Sequence, residues 1–71
     1  MKFSERLRMI RKEKGMTQIE VAAKIHISER HYQAYEAGKH EPTLSVLLRL
    51  ADLFDVSLDY LAGRSDSPDR I

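Results

Sequence analysis

The chain has 71 residues, of which 42% are hydrophobic and 32% are charged, with no cysteine and a formal net charge of +1. This composition fits one small globular domain, and it excludes disordered chains, disulfide-linked scaffolds and thiolate metal sites. Because no apolar run reaches the roughly 18 residues that span a bilayer and no signal-like segment opens the chain, we expect a soluble, cytoplasmic protein.

The first two predicted helices cover residues 5–14 and 18–25. Ser4 precedes the first helix and can cap its N-terminus. Thr17 and Glu20 have the spacing of a capping box. In this motif the hydroxyl accepts from a backbone N–H near the helix start, and the carboxylate accepts from the N–H of the cap residue itself. The second helix therefore has the clearer start signal.

Three more helices follow, each after a Ser or Thr that can cap it. We predict helices at residues 29–37 after Ser28, at 44–54 after Thr43, and at 58–62 after Ser57. No segment alternates apolar and polar residues with the period of a strand. The sequence therefore predicts an all-α domain of five helices over residues 1–63. We expect the polar C-terminal tail, residues 64–71, to be frayed.

The link between the second and third predicted helices is short, consisting of residues 26–28. It does not allow the two helices to lie antiparallel and side by side, so they must cross at a steep angle, as in a helix-turn-helix unit. Ala22 is the small residue that such a crossing needs. Tyr32 and Tyr35 then lie on the inward side of the third helix.

The outward side of the third helix carries candidate base-reading residues. With the tyrosines buried, this side presents side chains suited to the major groove, namely Glu29, Arg30, Gln33 and Ala34. An arginine can donate to two guanine acceptors, a glutamine can pair with adenine, and a glutamate can accept from cytosine N4. The residues around this helix include candidate phosphate contacts, namely Thr17, Gln18, Ser28, Lys39, His40 and Arg11.

The charge distribution also indicates a partner for the N-terminal half. Residues 1–40 carry nine Lys and Arg against five Glu, whereas residues 41–71 carry three Arg against six Asp and Glu. A basic half favours a surface that binds a polyanion. Double-stranded DNA is the polyanion that the third helix suits.

Two stretches of the sequence carry a family resemblance, RLRMIRKEKGMTQIEVAAKI and ISERHYQAYEAGKHEPTLSVLLRLADLFDVSLDYLAG. Within them, characteristic residues occur at a characteristic spacing: the Thr17-Gln18 pair, Ala22, Ser28, Glu36-x-Gly38 and Pro42. With these features the chain resembles the XRE-type helix-turn-helix family, which contains the phage repressor and Cro proteins. The resemblance covers residues 5–63 and implies a five-helix, lambda-repressor-like DNA-binding domain.

The resemblance also implies roles for individual residues. It makes Gln18 a phosphate contact, places Lys39 beside the DNA backbone, and assigns base reading to Glu29, Arg30 and Gln33 or Ala34.

The sequence departs from the family pattern at two positions. His26 stands at the turn position where glycine is usual, so we expect a positive φ there at a cost of about 1 kcal/mol. Tyr32 stands where a smaller aliphatic residue is usual, which bears on how far the third helix projects.

The fourth predicted helix has apolar residues on two adjacent arcs. One arc is expected to face the core: Leu47, Leu48, Ala51 and Phe54. The other is expected to form a dimer interface with residues of the fifth helix: Val46, Leu50, Leu53, Leu58 and Leu61, with Ile71 as a further candidate. The alternative is that the fifth helix and the tail cover this arc within one chain.

Together these features predict a transcriptional regulator, a repressor, that binds a pseudo-palindromic operator as a homodimer. No enzyme is expected, since no nucleophile–base pair or phosphate loop is present. No metal, cofactor, small-molecule ligand or membrane partner is expected either, because the three histidines lack the spacing of a metal site. Two alternatives remain. One is an antitoxin-like or restriction-controller regulator, and the other is an adaptor or antagonist of a related repressor that has lost DNA binding.

Overall fold

The computed structural model describes residues 1–70, and this part of the chain forms five helices. Their bounds are α1 Phe3–Glu13, α2 Gln18–Lys24, α3 Glu29–Glu36, α4 Leu44–Phe54 and α5 Leu58–Leu61. The predicted all-α, five-helix architecture is confirmed, and the predicted ends differ from these by no more than two residues. None of these helices is both long and apolar enough to cross a membrane.

Local capping explains where the helices begin. Four predicted caps are confirmed, since each hydroxyl accepts from the backbone N–H three residues later: Thr17, Ser28, Thr43 and Ser57. The predicted cap at Ser4 is wrong, because α1 already begins at Phe3, after Lys2. There the backbone N–H of Lys2 donates to Glu5 Oε1 at 3.1 Å, and Phe3 packs on the core.

One hydrophobic core joins the helices. α2 packs on α3, α1 packs on both α3 and α5, and α4 packs on α5. The buried apolar residues are Leu7, Ile10, Val21, Ala22, Ile25, Tyr32, Tyr35, Val46, Leu50, Ala51, Phe54, Val56 and Leu61. The core therefore draws on every helix and holds α2 and α3 in a fixed relation.

The orientation of α4 about its axis differs from the prediction. Leu48, expected in the core, is 45% exposed, whereas Val46 and Leu50, expected at a dimer interface, are 7% and 0% exposed. Leu47, also expected in the core, is half-buried against it. The helix is apolar around most of its circumference, so spacing alone does not decide which side faces inward. Packing against the rest of the domain does.

This rotation corrects the predicted dimer interface. Val46, Leu50 and Leu61 are buried in the chain's own core, so they cannot contact a second copy. Leu53 is half-buried and Leu58 is 39% exposed, so these two remain candidates. The further candidate, Ile71, lies outside the described residues.

The prediction of a frayed tail is wrong for residues 64–70. The guanidinium of Arg6, which is 3% exposed, donates from Nη1 to the carbonyl oxygen of Ser65 at 3.1 Å. The backbone N–H of Ser57 donates to the carbonyl oxygen of Pro68 at 3.1 Å. A buried arginine needs acceptors. The tail supplies one in the carbonyl oxygen of Ser65, and α5 supplies another in the carbonyl oxygen of Tyr60, at 2.9 Å from the same Nη1.

Candidate nucleic-acid interface

The turn between α2 and α3 is closed by a residue in the left-handed conformation. His26 has φ of 61°, as its departure from glycine led us to expect. The N–H of Ile27 donates to the Ala22 carbonyl at 3.0 Å and that of His26 donates to the Ala23 carbonyl at 3.3 Å. These two bonds form a Schellman motif, which ends α2 and redirects the chain into α3.

α3 has one buried side and one exposed side. Tyr32 and Tyr35 are 0% and 5% exposed, so the predicted inward orientation of both tyrosines is confirmed. On the other side Glu29, Arg30 and Gln33 are exposed, while Ala34 is half-buried. A helix of eight residues, just over two turns, therefore presents a row of polar groups with both donors and acceptors.

A shallow groove brings most of the predicted site residues together. Its lining consists of Ser28, Arg30, His31, Gln33, Ala34, Ala37, Lys39 and His40. Predicted base-reading residues and predicted phosphate contacts thus share one surface. His31, which the sequence prediction did not include, lies in the same lining, with its ring tilted against that of Tyr35 at a centroid distance of 6.1 Å.

The capping hydroxyls retain the capacity to bind an anion. Thr17 Oγ1 accepts from the Glu20 N–H at 3.1 Å, and Ser28 Oγ accepts from the His31 N–H at 3.1 Å. A hydroxyl carries one O–H donor in addition to its acceptor sites. The O–H groups at the starts of α2 and α3 can therefore still donate to a phosphate.

Behind the exposed side of α3 lies a buried ionic cluster around Glu36, which is 3% exposed. Arg11 donates from Nε to Glu36 Oε2 at 2.6 Å and from Nη2 to Glu36 Oε1 at 3.1 Å. Gln18 donates from Nε2 to Glu36 Oε1 at 3.1 Å, and the Tyr32 hydroxyl donates to Glu36 Oε2. The carboxylate thereby joins α1, α2 and α3.

The expectation that Arg11 contacts phosphate does not fit this arrangement. Its side chain is 13% exposed, and its third donor, Nη1, bonds the carbonyl oxygen of Met16 at 2.9 Å. The requirement to neutralise a buried Glu36 carboxylate explains this placement. Local spacing contains a signal for the pair, because Arg11 follows Leu7 and Glu36 follows Tyr32 by four residues, on the inward side of each helix.

The cluster shifts the pKa values of its members. Burial raises the pKa of Glu36, but hydrogen bonds from Arg11, Tyr32 and Gln18 outweigh burial and hold this pKa below its ordinary value. The hydrogen bond to Glu36 raises the pKa of Arg11. Burial, with the adjacent carboxylate, raises the pKa of Tyr32. At neutral pH Glu36 and Arg11 are therefore charged, and Tyr32 keeps its proton.

Gln18 connects this cluster to the exposed side of α3. Gln33 donates from Nε2 to Gln18 Oε1 and to Glu29 Oε2, each at 3.4 Å. The expected phosphate contact at the start of α2 is thus also a partner of an expected base-reading residue. Within residues 1–70, no group of three or more His, Asp or Glu side chains is placed to hold a metal ion.

The arrangement of α2 and α3 agrees with a comparison of the chain with known protein families. A helix-turn-helix family model matches residues 7–61. The chain belongs to the helix-turn-helix family. This confirms the XRE-type resemblance seen in the sequence.

Two relatives of this helix-turn-helix domain have informative names. The chain is 43% identical over 67 residues to the uncharacterized HTH-type transcriptional regulator YobD of Bacillus subtilis, covering 94% of this chain and 60% of the relative. It is 42% identical over 64 residues to the cryptic phage CTXphi transcriptional repressor RstR of Vibrio cholerae, covering 90% and 57%. The chain thus spans less than two thirds of these relatives, which are named as transcriptional regulators and not as enzymes.

The helix-turn-helix fold is also that of a solved repressor. The P22 c2 repressor, crystallised with a synthetic operator, aligns with a TM-score of 0.85 at 26% identity. The alignment covers 92% of this chain and 98% of that one. Nearly the whole of the described fold is therefore shared with the P22 c2 repressor.

Proposed function

We propose that the protein binds double-stranded DNA sequence-specifically, with α3 in the major groove. The observation that carries this proposal is the division of α3, where Tyr32 and Tyr35 are buried while Glu29, Arg30 and Gln33 are exposed in a row. A short helix with donors and acceptors on its outer side can contact base edges in that groove. Ala34 adds a small apolar surface suited to a thymine methyl group.

Exposed residues that could contact phosphates lie at both ends of α3 and support the same docking. Lys39 and His40 follow α3 and are exposed, and the groove connects them to Ser28 at its start. Thr17 and Gln18 mark the N-terminus of α2, where backbone N–H groups attract anions. We infer that these residues hold the two backbone strands that border the groove and set the register of α3.

We further propose that the protein acts as a homodimeric repressor on a pseudo-palindromic operator. Leu44 and Leu48 lie one turn apart on α4 and form an exposed apolar patch that is available for a two-fold contact. Leu58 of α5 is also exposed, and Leu53 is half-buried. A dimer would place two copies of α3 about 34 Å apart, one turn of DNA. The names of RstR and the P22 c2 repressor support repression as the direction of control.

No cofactor or small-molecule effector is part of this proposal, and the site of action is the cytoplasm, where an operator is accessible.

Selection of bound sequences from a random pool of duplexes tests the proposed DNA binding most directly. We expect one enriched, pseudo-palindromic motif with half-sites about one helical turn apart. Recovery of an unenriched pool at low salt, where even non-specific binders hold DNA, would contradict the proposal.

A further inference from the structure

The buried carboxylate of Glu36 determines how the side-chain amide of Gln18 is oriented. An ionised carboxylate only accepts hydrogen bonds. The group of Gln18 that faces Glu36 Oε1 at 3.1 Å must therefore be the amide nitrogen. The amide oxygen of Gln18 then points away from the cluster, toward α3, where it requires a donor.

The same logic determines the orientation of Gln33. Its amide nitrogen lies 3.4 Å from Gln18 Oε1 and 3.4 Å from Glu29 Oε2, both of which accept. A carboxamide nitrogen carries two hydrogens, so both are directed toward protein acceptors. The amide oxygen of Gln33 accepts no hydrogen bond from residues 1–70 and is left on the exposed side of α3.

We propose that this relay from Glu36 through Gln18 makes Gln33 an acceptor-only reader, which selects a base with an amino group in the major groove. Adenine N6 and cytosine N4 donate there, whereas guanine O6 and thymine O4 accept. On the strand that faces Gln33, the operator then carries A or C rather than G or T. Gln18 is a positioning residue in this scheme, and the inference rests on the proposed DNA binding.

The relay is more selective than a glutamine alone. An unconstrained glutamine can rotate its amide by half a turn and donate to guanine or thymine. The engaged N–H groups of Gln33 oppose that rotation, because it would place its oxygen against the oxygens of Gln18 and Glu29. The Glu29 carboxylate is itself an acceptor, so it favours the same class of base.

The test uses the full chain and the operator obtained by selection. Each A or C of a half-site is changed in turn to G or T, and the affinities are compared by fluorescence anisotropy. At one position the wild type should lose about tenfold in affinity. Gln33→Met should abolish that loss, because methionine neither donates nor accepts strongly. Gln33→Glu should bind all duplexes more weakly, because its carboxylate is repelled by Glu29 and by the phosphates, but it should keep the preference, because a carboxylate only accepts. Loss of the preference in Gln33→Glu, or its persistence in Gln33→Met, would overturn the inference.

The role of Gln18 is tested by the preference itself and not by affinity alone. Gln18→Ala releases Gln33, so the amino-over-keto ratio should fall from about tenfold to about twofold. Lys24→Ala, an exposed change on the same helix, should leave the ratio unchanged. Circular dichroism confirms that each variant is folded. Should Gln18→Ala not fold, the two Gln33 variants decide the matter, since Gln33 is exposed. An unchanged ratio in folded Gln18→Ala would contradict the positioning role.

A measurement on the DNA-free protein separates this inference from the proposed function. The side-chain amide hydrogens of Gln33 should show nuclear Overhauser contacts to Gln18 and Glu29, and Gln18→Ala should remove the former. A wild-type protein that selects no duplex would overturn the proposed function, whatever these contacts show. A protein that binds its operator but lacks the contacts, or has no amino preference, would overturn the relay alone.

Discussion

Arg11 Nε lies 2.6 Å from Glu36 Oε2, which joins the last turn of α1 to the end of α3. The two residues are 25 positions apart, and the Glu36 side chain is only 2% exposed. This ion pair fixes the base of the helix whose opposite side we propose to read DNA. It therefore links the stability of the domain to the placement of its binding surface.

Removal of the Arg11 side chain should lower the stability of the fold. Arg11→Ala leaves a buried carboxylate without its main partner, so we expect a loss of about 3–5 kcal/mol in the free energy of unfolding. Urea denaturation measures it. Arg8→Ala is the matched control, since the Arg8 side chain is 54% exposed and its Nε lies 3.8 Å from the same carboxylate. Its cost should be about 1 kcal/mol or less. Equal losses of stability in the two variants would contradict the assignment of Arg11 as the main partner of Glu36.

The depressed pKa of Glu36 predicts how stability depends on pH. The folded state favours the ionised carboxylate, so this contribution is complete above the pKa of the unfolded chain. It disappears as the pH falls through the lower pKa of the folded state. We expect the free energy of unfolding to decline as the pH falls below the ordinary glutamate pKa of 4.5. In Glu36→Gln the decline should be shallower, and an acid limb as steep as that of the wild type would refute the linkage.

Dimer formation should depend on the outward side of α4. Leu48→Asp places a charge in the exposed patch, so this variant should sediment as a monomer while the wild type sediments as a dimer. Ile19→Asp is the control, because Ile19 is 60% exposed but lies on α2. It should leave the mass unchanged. If Leu48→Asp kept the mass of the wild type, the patch would not be the interface.

Much of the fold could be predicted because its signals are local. Thr17, Ser28 and Thr43 cap the helices that follow them, and the spacing of Tyr32 and Tyr35 shows which side of α3 is buried. Capping bonds span three residues and helical stripes span a few turns, so short segments of sequence contain both.

Other features depend on contacts between distant segments. α4 is apolar on most sides, so the burial of Leu50 and the exposure of Leu48 follow from how α4 packs, not from its own pattern. The sequence around Arg11 does not distinguish it from the other basic residues near the predicted site. Its role as an ion-pair partner depends on Glu36, which lies 25 residues further along the chain. The link from Gln18 to Gln33 likewise requires α2 and α3 to be in their final positions.

Lys39 should contribute to the part of the DNA affinity that does not depend on the base sequence. It is exposed at the end of α3 and lines the groove, so we expect it to neutralise one phosphate. Lys39→Ala should weaken binding to all duplexes by a similar factor and lower the slope of log affinity against log salt by about one unit. A titration series across salt concentrations measures this slope. An unaltered slope would remove Lys39 from the phosphate contacts.

The most direct test of the reading role of α3 is the ratio of operator to random-duplex affinity in Arg30→Ala. The Arg30 side chain is exposed and lines the groove, so its removal should cost about 1–3 kcal/mol on the operator and relax the preference at one base pair. The ratio should therefore fall, whereas Lys39→Ala should leave it nearly constant. An operator-to-random ratio in Arg30→Ala equal to that of the wild type would contradict the assignment of α3 as the reading helix.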